Sequence, residues 1–463
     1  MSDLITFYQL CRKFATQKTS FDKIRSVCLL YDKIPVNISI NRLSQEVRVL
    51  DIKAIVHNYY NKFKREFLKW IGPKRRDFLY YKLWPYYYKK YSKKPIDPQK
   101  VVLAYSHLYK KMPDNLSCIK EYLEVRGYKC VVIDRAEHAV MSKNWFLNEI
   151  FKCFYGRKFF KAYGNAKALF LTDYFFPAFA CKPREGQRVV QLWHGCGAFK
   201  KWGYSTAEKK WGASKKELDR YPIHNTYTHV CVSSPEVSFA YAEAFGCSED
   251  VVIPLGAPRT DVYFDSDFVS SGRKKLLEMF PEIGERKIIL YAPTFRGNSV
   301  GKSYIKNMLK LDEMYDELSK DYVLVIKQHP LTASAFKLSE AQLKTYGDFV
   351  FDVSKTVEID TAFCAADLVI TDYSSLIFEY ALLERPMIFY AYDLASYEDA
   401  RSFYFEYENF VPGEIVTDTR GIIDEVKRLE TEFDVEKICK FKNNFMSACD
   451  GSSTERIIEA VLK

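Results

Sequence analysis

The chain has 463 residues, 48% of them apolar and 16% aromatic, which is too long for one ordinary domain and too apolar for a disordered chain. Its net charge of +10 is uneven: residues 1–100 hold 22 Lys+Arg against 8 Asp+Glu, and the rest hold 47 against 51, so an anionic partner is expected for that end only. No run of 18 apolar residues occurs, and the nearest, 168–181, is broken by Asp173 and Pro177, which excludes a spanning helix.

The first fifteen residues, MSDLITFYQLCRKFA, lack the layout of a signal peptide. Twelve cysteines occur without a CxxC pair, and read as reduced thiols of a protein on the cytoplasmic side. Residues 1–100 show helical spacing. Their last third, 62–94, interleaves Lys and Arg with Phe, Trp, Tyr and Leu. That mixture suits a peripheral surface on an anionic membrane, with Trp70, Trp84 and the tyrosines at headgroup level. It also suits a solvated face packed on the next domain, and less well a nucleic-acid surface.

From residue 101 the pattern changes to buried strands alternating with helices. The strand candidates are 101–106, 129–134, 167–173, 188–194, 228–234 and 251–256, and after a junction near 258–286 they resume at 287–294, 322–329, 348–354, 367–372 and 386–391. Short apolar runs separated by helical lengths mark parallel sheets covered on both faces. The reading is therefore α/β, with two doubly wound Rossmann-like domains facing each other after an N-terminal basic helical region. The boundaries are 1–100, 101–262 and 263–463.

Ligands of such sheets bind beyond the carboxyl ends of the strands, and those ends are polar here. They carry His194-Gly195, Arg259, Pro293-Thr294-Phe295-Arg296, Lys327 with His329, and Asp372 followed by Ser374 and Ser375. Sheet packing does not ask for two of seven histidines and two arginines at these points. Ser374 and Ser375 precede the helical run LIFEYALLE, so they read either as an ordinary N-cap or as a phosphate-binding helix start. Lys327 and His329 alternate along one strand and, with Arg259 and Arg296, form a candidate cradle for a diphosphate. Glu379 follows Ser375 by four residues, and suits either a ribose diol or solvent. No metal-binding motif, P-loop or dinucleotide fingerprint appears, so no metal or other cofactor is expected.

The stretches QLWHGCGAFKKWG (191–203), LGAPRTD (255–261), LYAPTFR (290–296), VIKQHP (325–330), DLVITDYSSLIFEYALLERPMIFYAYDLASY (367–397) and RSFYFEYENFVPGEIV (401–416) resemble the CDP-glycerol glycerophosphotransferase family. These are the teichoic acid primases and polymerases, with a GT-B type fold. The resemblance implies transfer of a phosphoalditol from CDP-glycerol or CDP-ribitol to a hydroxyl of a lipid-linked saccharide or polymer, releasing CMP, in teichoic-acid-like or capsular polymer synthesis. It also implies His194 as general base, with Gly195 letting the backbone approach the donor. Arg259, Pro293, Thr294, Arg296, Lys327, His329, Asp372, Ser374 and Ser375 fall at donor-binding positions, and Glu379 at the ribose. A nucleotide-sugar glycosyltransferase of the same fold is the alternative. The family's acceptors favour a peripheral location on the membrane's cytoplasmic face, with no nucleic acid as partner.

Overall fold

The computed structural model describes residues 61, 65, 66, 68–106, 111–134, 156–209, 212–294, 296, 309–328, 338–395, 397 and 402–463. His329 and the N-terminal expectations for residues 1–60 lie outside them. The chain divides into two compact units, Met1–Phe78 and Leu79–Lys463. The described residues 68–78 of the first are helical; everything below concerns the second.

Two six-stranded sheets make up that unit. The first contains β1 (Asp97–Tyr105), β2 (Lys129–Asp134), β3 (Ala166–Leu171), β4 (Arg188–Gln191), β5 (His229–Cys231) and β6 (Val252–Ile253), in the order β2-β1-β3-β4-β5-β6. The second contains β7 (Lys287–Tyr291), β8 (Tyr322–Ile326), β9 (Val350–Asp352), β10 (Leu368–Thr371), β11 (Met387–Tyr390) and β12 (Glu414–Val416), in the order β12-β11-β10-β7-β8-β9. Every pairing is parallel. Strands such as YVLVI (322–326) are buried throughout, which is why they read as continuous apolar runs without alternation. In each sheet the chain order reverses once, between β1 and β3 and between β7 and β10, and such switch points open crevices at the strands' carboxyl ends.

Four helices matter for the site: α1 (Asp114–Val125), α2 (Leu376–Ala381), α3 (Val435–Phe445) and α4 (Ser453–Leu462). α1 packs Leu116, Ile119 and Leu123 on the first sheet, and α4 adds Ile457, Ile458 and Val461 to the same core. The chain thus returns to the first sheet at its end, because that apolar stripe completes the first core. A division by chain order at 262/263 does not capture this return.

The segment after residue 401 ties the two halves together. Lys201 N–H donates to Ser402 O at 2.8 Å and Tyr404 N–H to Phe199 O at 3.0 Å. Phe199 stacks on Phe403, Tyr407 and Phe410 at 5.0–5.9 Å. Trp84, expected at lipid headgroups, is instead only 2% exposed and packs against Phe160 and Phe176. An indole of that area contributes more when buried in a core than at a wet surface. The outward side of residues 79–94 keeps Tyr81, Lys82, Tyr86, Lys89, Lys90, Lys93 and Lys94. Among the described residues no helix is long and apolar enough to cross a membrane.

Candidate active site

The loops at the strand ends meet between the two sheets. β4 ends at Gln191, so His194 stands three residues beyond the strand rather than on it. The residue before it, Trp193, has φ +55°, a left-handed conformation that costs a bulky residue of order 1–3 kcal/mol and persists only when its surroundings impose it. The indole lies 4.2 Å from the imidazole, centroid to centroid. The His194 side chain is 48% accessible, so it lines an open wall of the cleft. The protein mass behind it removes enough water to lower its pKa below the ordinary imidazole value. Asp173, at the end of β3, opposes that shift with Oδ1 4.0 Å from His194 Nδ1, and the Arg259 charge adds to it. The net shift favours the neutral imidazole, the form that accepts a proton.

Of the two glycines in this loop, one is required by its geometry. A methyl on Gly195 would lie 3.8 Å from Ser375 Oγ, so the loop faces the start of α2 across the cleft. Gly197 has φ +64°, and a methyl there would stand 2.2 Å from the Phe378 ring. The left-handed turn is thus at Gly197, where only glycine fits, while a side chain at Gly195 would make only ordinary contact with Ser375. Tyr241 OH donates to Gly195 O at 2.9 Å, and Ser233 Oγ accepts from Gly197 N–H at 3.0 Å.

Arg259 enters from the turn Pro258–Phe264 and pairs with Glu379 of α2. Sequence reasoning assigned the two separately, to phosphate and to ribose; here they meet across the halves of the molecule. Glu379 is 2% exposed, so it is not a solvated surface carboxylate. Arg259 Nε, Glu379 Oε2 and Thr294 Oγ1 are buried without a hydrogen-bond partner. Each such atom costs about 1–3 kcal/mol if it stays unpaired; others, such as Tyr163 Oη, Thr172 Oγ1, Trp202 Nε1 and Thr226 Oγ1, lie elsewhere, and these three are the ones on candidate donor-binding residues.

The remaining candidates separate into two groups. Ser374 Oγ accepts from Leu376 N–H at 3.3 Å, the ordinary capping bond, while Ser375 makes no cap bond. Pro293 is buried at the end of β7, and Thr294 N–H donates to Asp372 Oδ1 at 2.9 Å. Lys327 lies just past β8, where Nζ donates to the Ser354 and Val357 carbonyls at 3.1 and 2.5 Å. Burial lowers its pKa, opposed by Glu358 and Asp352. Arg296 differs from its reading as part of a phosphate cradle. It is 8% exposed and donates to Asp372 Oδ2 at 2.9 Å, to both Asp393 oxygens at 2.9 and 2.8 Å, and to Thr294 O at 2.6 Å. Its guanidinium also lies over Tyr373 and Tyr397. Arg296 and Asp372 hold the strand ends in place, and four of the five guanidinium N–H bonds are already spent.

Sequence reasoning missed Asn115, Gln191, Asp173 and Asp393. Asn115 Nδ2 donates to Trp193 O at 3.0 Å, and its Oδ1 accepts from Arg259 N–H at 2.9 Å. Gln191 Oε1 accepts from Trp193 N–H at 2.9 Å. Gln191 was legible only as a polar residue inside an apolar strand.

A family model, CDP-Glycerol:Poly(glycerophosphate) glycerophosphotransferase, matches residues 86–463. The chain belongs to this family. The teichoic acid ribitol-phosphate primase of Bacillus spizizenii is 32% identical over 370 residues, covering 79% of this chain and 92% of the relative. The teichoic acid poly(ribitol-phosphate) polymerase of the same organism is 36% identical over 302 residues, covering 65% of this chain and 47% of the polymerase. The solved wall teichoic acid polymerase TagF superposes with a TM-score of 0.65 at 23% identity, over 87% of this chain and 97% of that one. That likeness shows the shared fold, of GT-B type. Family membership makes the chain a phosphotransferase of CDP-alditols. Among the described residues no group of three or more His, Cys, Asp or Glu side chains is placed to hold a metal ion.

Proposed function

We propose that the chain transfers glycerol phosphate or ribitol phosphate from a CDP-alditol to a hydroxyl of a membrane-linked saccharide or polymer, in teichoic-acid-like polymer synthesis. The observation that carries this reading is the set of three unpaired buried polar atoms on Arg259, Thr294 and Glu379, beside the loop that bears His194, whose pKa is lowered. His194 takes the proton from the acceptor hydroxyl as that oxygen attacks the donor's β-phosphorus. The bond from the β-phosphorus to the bridging oxygen breaks, and the electron pair leaves with CMP. Arg259, the hydroxyls of Thr294 and Ser375, and a remaining N–H of Lys327 meet the diphosphate charge, with His329 assigned to the same role. Glu379 takes the ribose diol through its free oxygen, so donor binding redistributes the Arg259–Glu379 pair. No metal is assigned a part, and the charge is met by side chains.

Calorimetric titration with CDP-glycerol, CDP-ribitol, UDP-glucose and CMP, with and without a chelator, tests this reading. One CDP-alditol is expected to bind at least tenfold more tightly than UDP-glucose, a difference of about 1.4 kcal/mol, and to be indifferent to the chelator. Preference for UDP-glucose would instead favour a glycosyltransferase.

The acceptor reading supports a peripheral site on anionic lipid, with exposed Lys82, Lys89, Lys90, Lys93 and Lys94 facing it. Each basic residue near such a surface contributes about 1 kcal/mol. Replacing these five by glutamine is expected to release the protein from phosphatidylserine liposomes at moderate salt; undiminished sedimentation would discard the electrostatic anchor.

A further inference from the structure

The peptide groups on both sides of Trp193 are held by buried amides. Its N–H is taken by Gln191 Oε1 and its C=O by Asn115 Nδ2. That carbonyl belongs to the peptide linking Trp193 to His194, so its plane sets the direction in which the imidazole leaves the backbone. Asn115 is 4% and Gln191 0% exposed. The Asn115 amide has only one workable orientation, since Trp193 O can only accept and Arg259 N–H can only donate. Gln191 is fixed in turn, with Nε2 donating to Tyr227 OH at 2.7 Å and to Asp173 O at 3.3 Å. An asparagine in the first turn of a helix that otherwise packs Leu116, Ile119 and Leu123 costs desolvation without adding to the core. Its two bonds end on the backbone of the residue before His194 and on that of Arg259.

We propose that Asn115 is a positioning residue for the transfer step, holding the left-handed Trp193 so that His194 faces the acceptor and fixing its register to Arg259. This rests on the assignment of His194 as base. The two arms are not equally redundant. The turn carrying Arg259 is also anchored by Asp261, which accepts from Ser453 and Thr454 N–H at 2.9 Å. The Trp193 carbonyl has no such second anchor among the described bonds. Loss of Asn115 therefore disturbs the base more than the donor site.

The test is Asn115→Leu, which keeps the volume and removes both bonds, measured beside His194→Ala and the double variant. For the single variant kcat is expected to fall about 10- to 100-fold, the effect of misplacing a reacting group by an ångström or less. The donor dissociation constant should stay within about threefold and the unfolding temperature within a few degrees. In the His194→Ala background the same change should alter residual turnover less than about twofold, because groups acting as a unit are not additive. The role is overturned by wild-type kcat, by a loss of kcat matched by equally lost donor affinity, or by an equal loss in both backgrounds. Should Asn115→Leu not fold, Asn115→Asp carries the measurement at pH 8, since it keeps the acceptor for Arg259 N–H and removes the donor to Trp193 O. Full turnover in His194→Ala would remove the base assignment itself, whereas a dead His194→Ala beside an active Asn115→Leu removes only the positioning role.

Discussion

His194→Ala is expected to lower turnover by about 10²- to 10⁴-fold, the usual contribution of a positioned general base. CDP-alditol affinity should change little, since the donor contacts proposed above come from other residues. Calorimetric binding together with release of CMP measures both. Retained turnover would discard the base assignment, and lost binding would make His194 a donor ligand instead. The pH dependence follows from the lowered imidazole pKa. A base works in its neutral form, so kcat/KM of the wild type should rise as the proton leaves His194 and then level off. Because the pKa is lowered, the midpoint of that rise lies below the ordinary imidazole value of about 6.5. Asp173 acts in the opposite sense, raising the pKa. Asp173→Asn should therefore move the rise to still lower pH while lowering the plateau, since the imidazolium formed during transfer loses its nearby carboxylate. A shift to higher pH would mean that Asp173 does not act on His194.

The sheets were largely legible because burial on both faces leaves runs such as VVLAYS and KIILY that few other structures produce. β12 was not. It is three residues long, Glu-Ile-Val, with only Val416 buried, and neither its length nor its pattern separates it from a loop. Strand ends were read too long wherever apolar residues continue past the ladder, as at Leu192 and Trp193 beyond Gln191. The same overrun put Lys327 on a strand that stops at Ile326. Of the candidate site, the motif-bearing loops were legible, but the partners within them were not. Arg259 and Arg296 are alike in sequence, each next to a strand end. One reaches a single carboxylate with an Nε left unpaired; the other meets two aspartates, one of them ninety-seven residues further along the chain. Asn115 was invisible for a related reason. An asparagine near a helix start is ordinarily a local cap, whereas this one bonds to backbone 78 and 144 residues away.

Replacing Arg296 with methionine should therefore be a stability defect before it is a binding defect. The side chain fills similar volume but leaves Asp372 and Asp393 facing each other's charge in a site where Arg296 and Asp372 are 8% and 4% accessible. Removing one member of a buried ion pair typically costs about 3–5 kcal/mol, because the partner charge stays behind. The Asp393 carboxylate also accepts from Tyr373 OH at 3.0 Å, and Tyr407 OH donates to Asp372 O at 3.2 Å. The disturbance should thus spread into the aromatic cluster that joins residues 401–410 to the loop after His194. The expected result is an unfolding temperature lowered by several degrees or more, with less protein recovered in folded form. Arg296→Lys should fall between, keeping the charge while losing the bidentate contact to Asp393. At a temperature where the methionine variant is still folded, its donor affinity should remain within a few-fold of wild type. Unchanged thermal stability with lost CDP-alditol binding would reverse this assignment and return Arg296 to the phosphates. Arg259→Met is the contrasting case. Its guanidinium meets one carboxylate and has an unpaired buried Nε, so its loss should remove donor binding as well as destabilise the fold by leaving Glu379 buried without its partner.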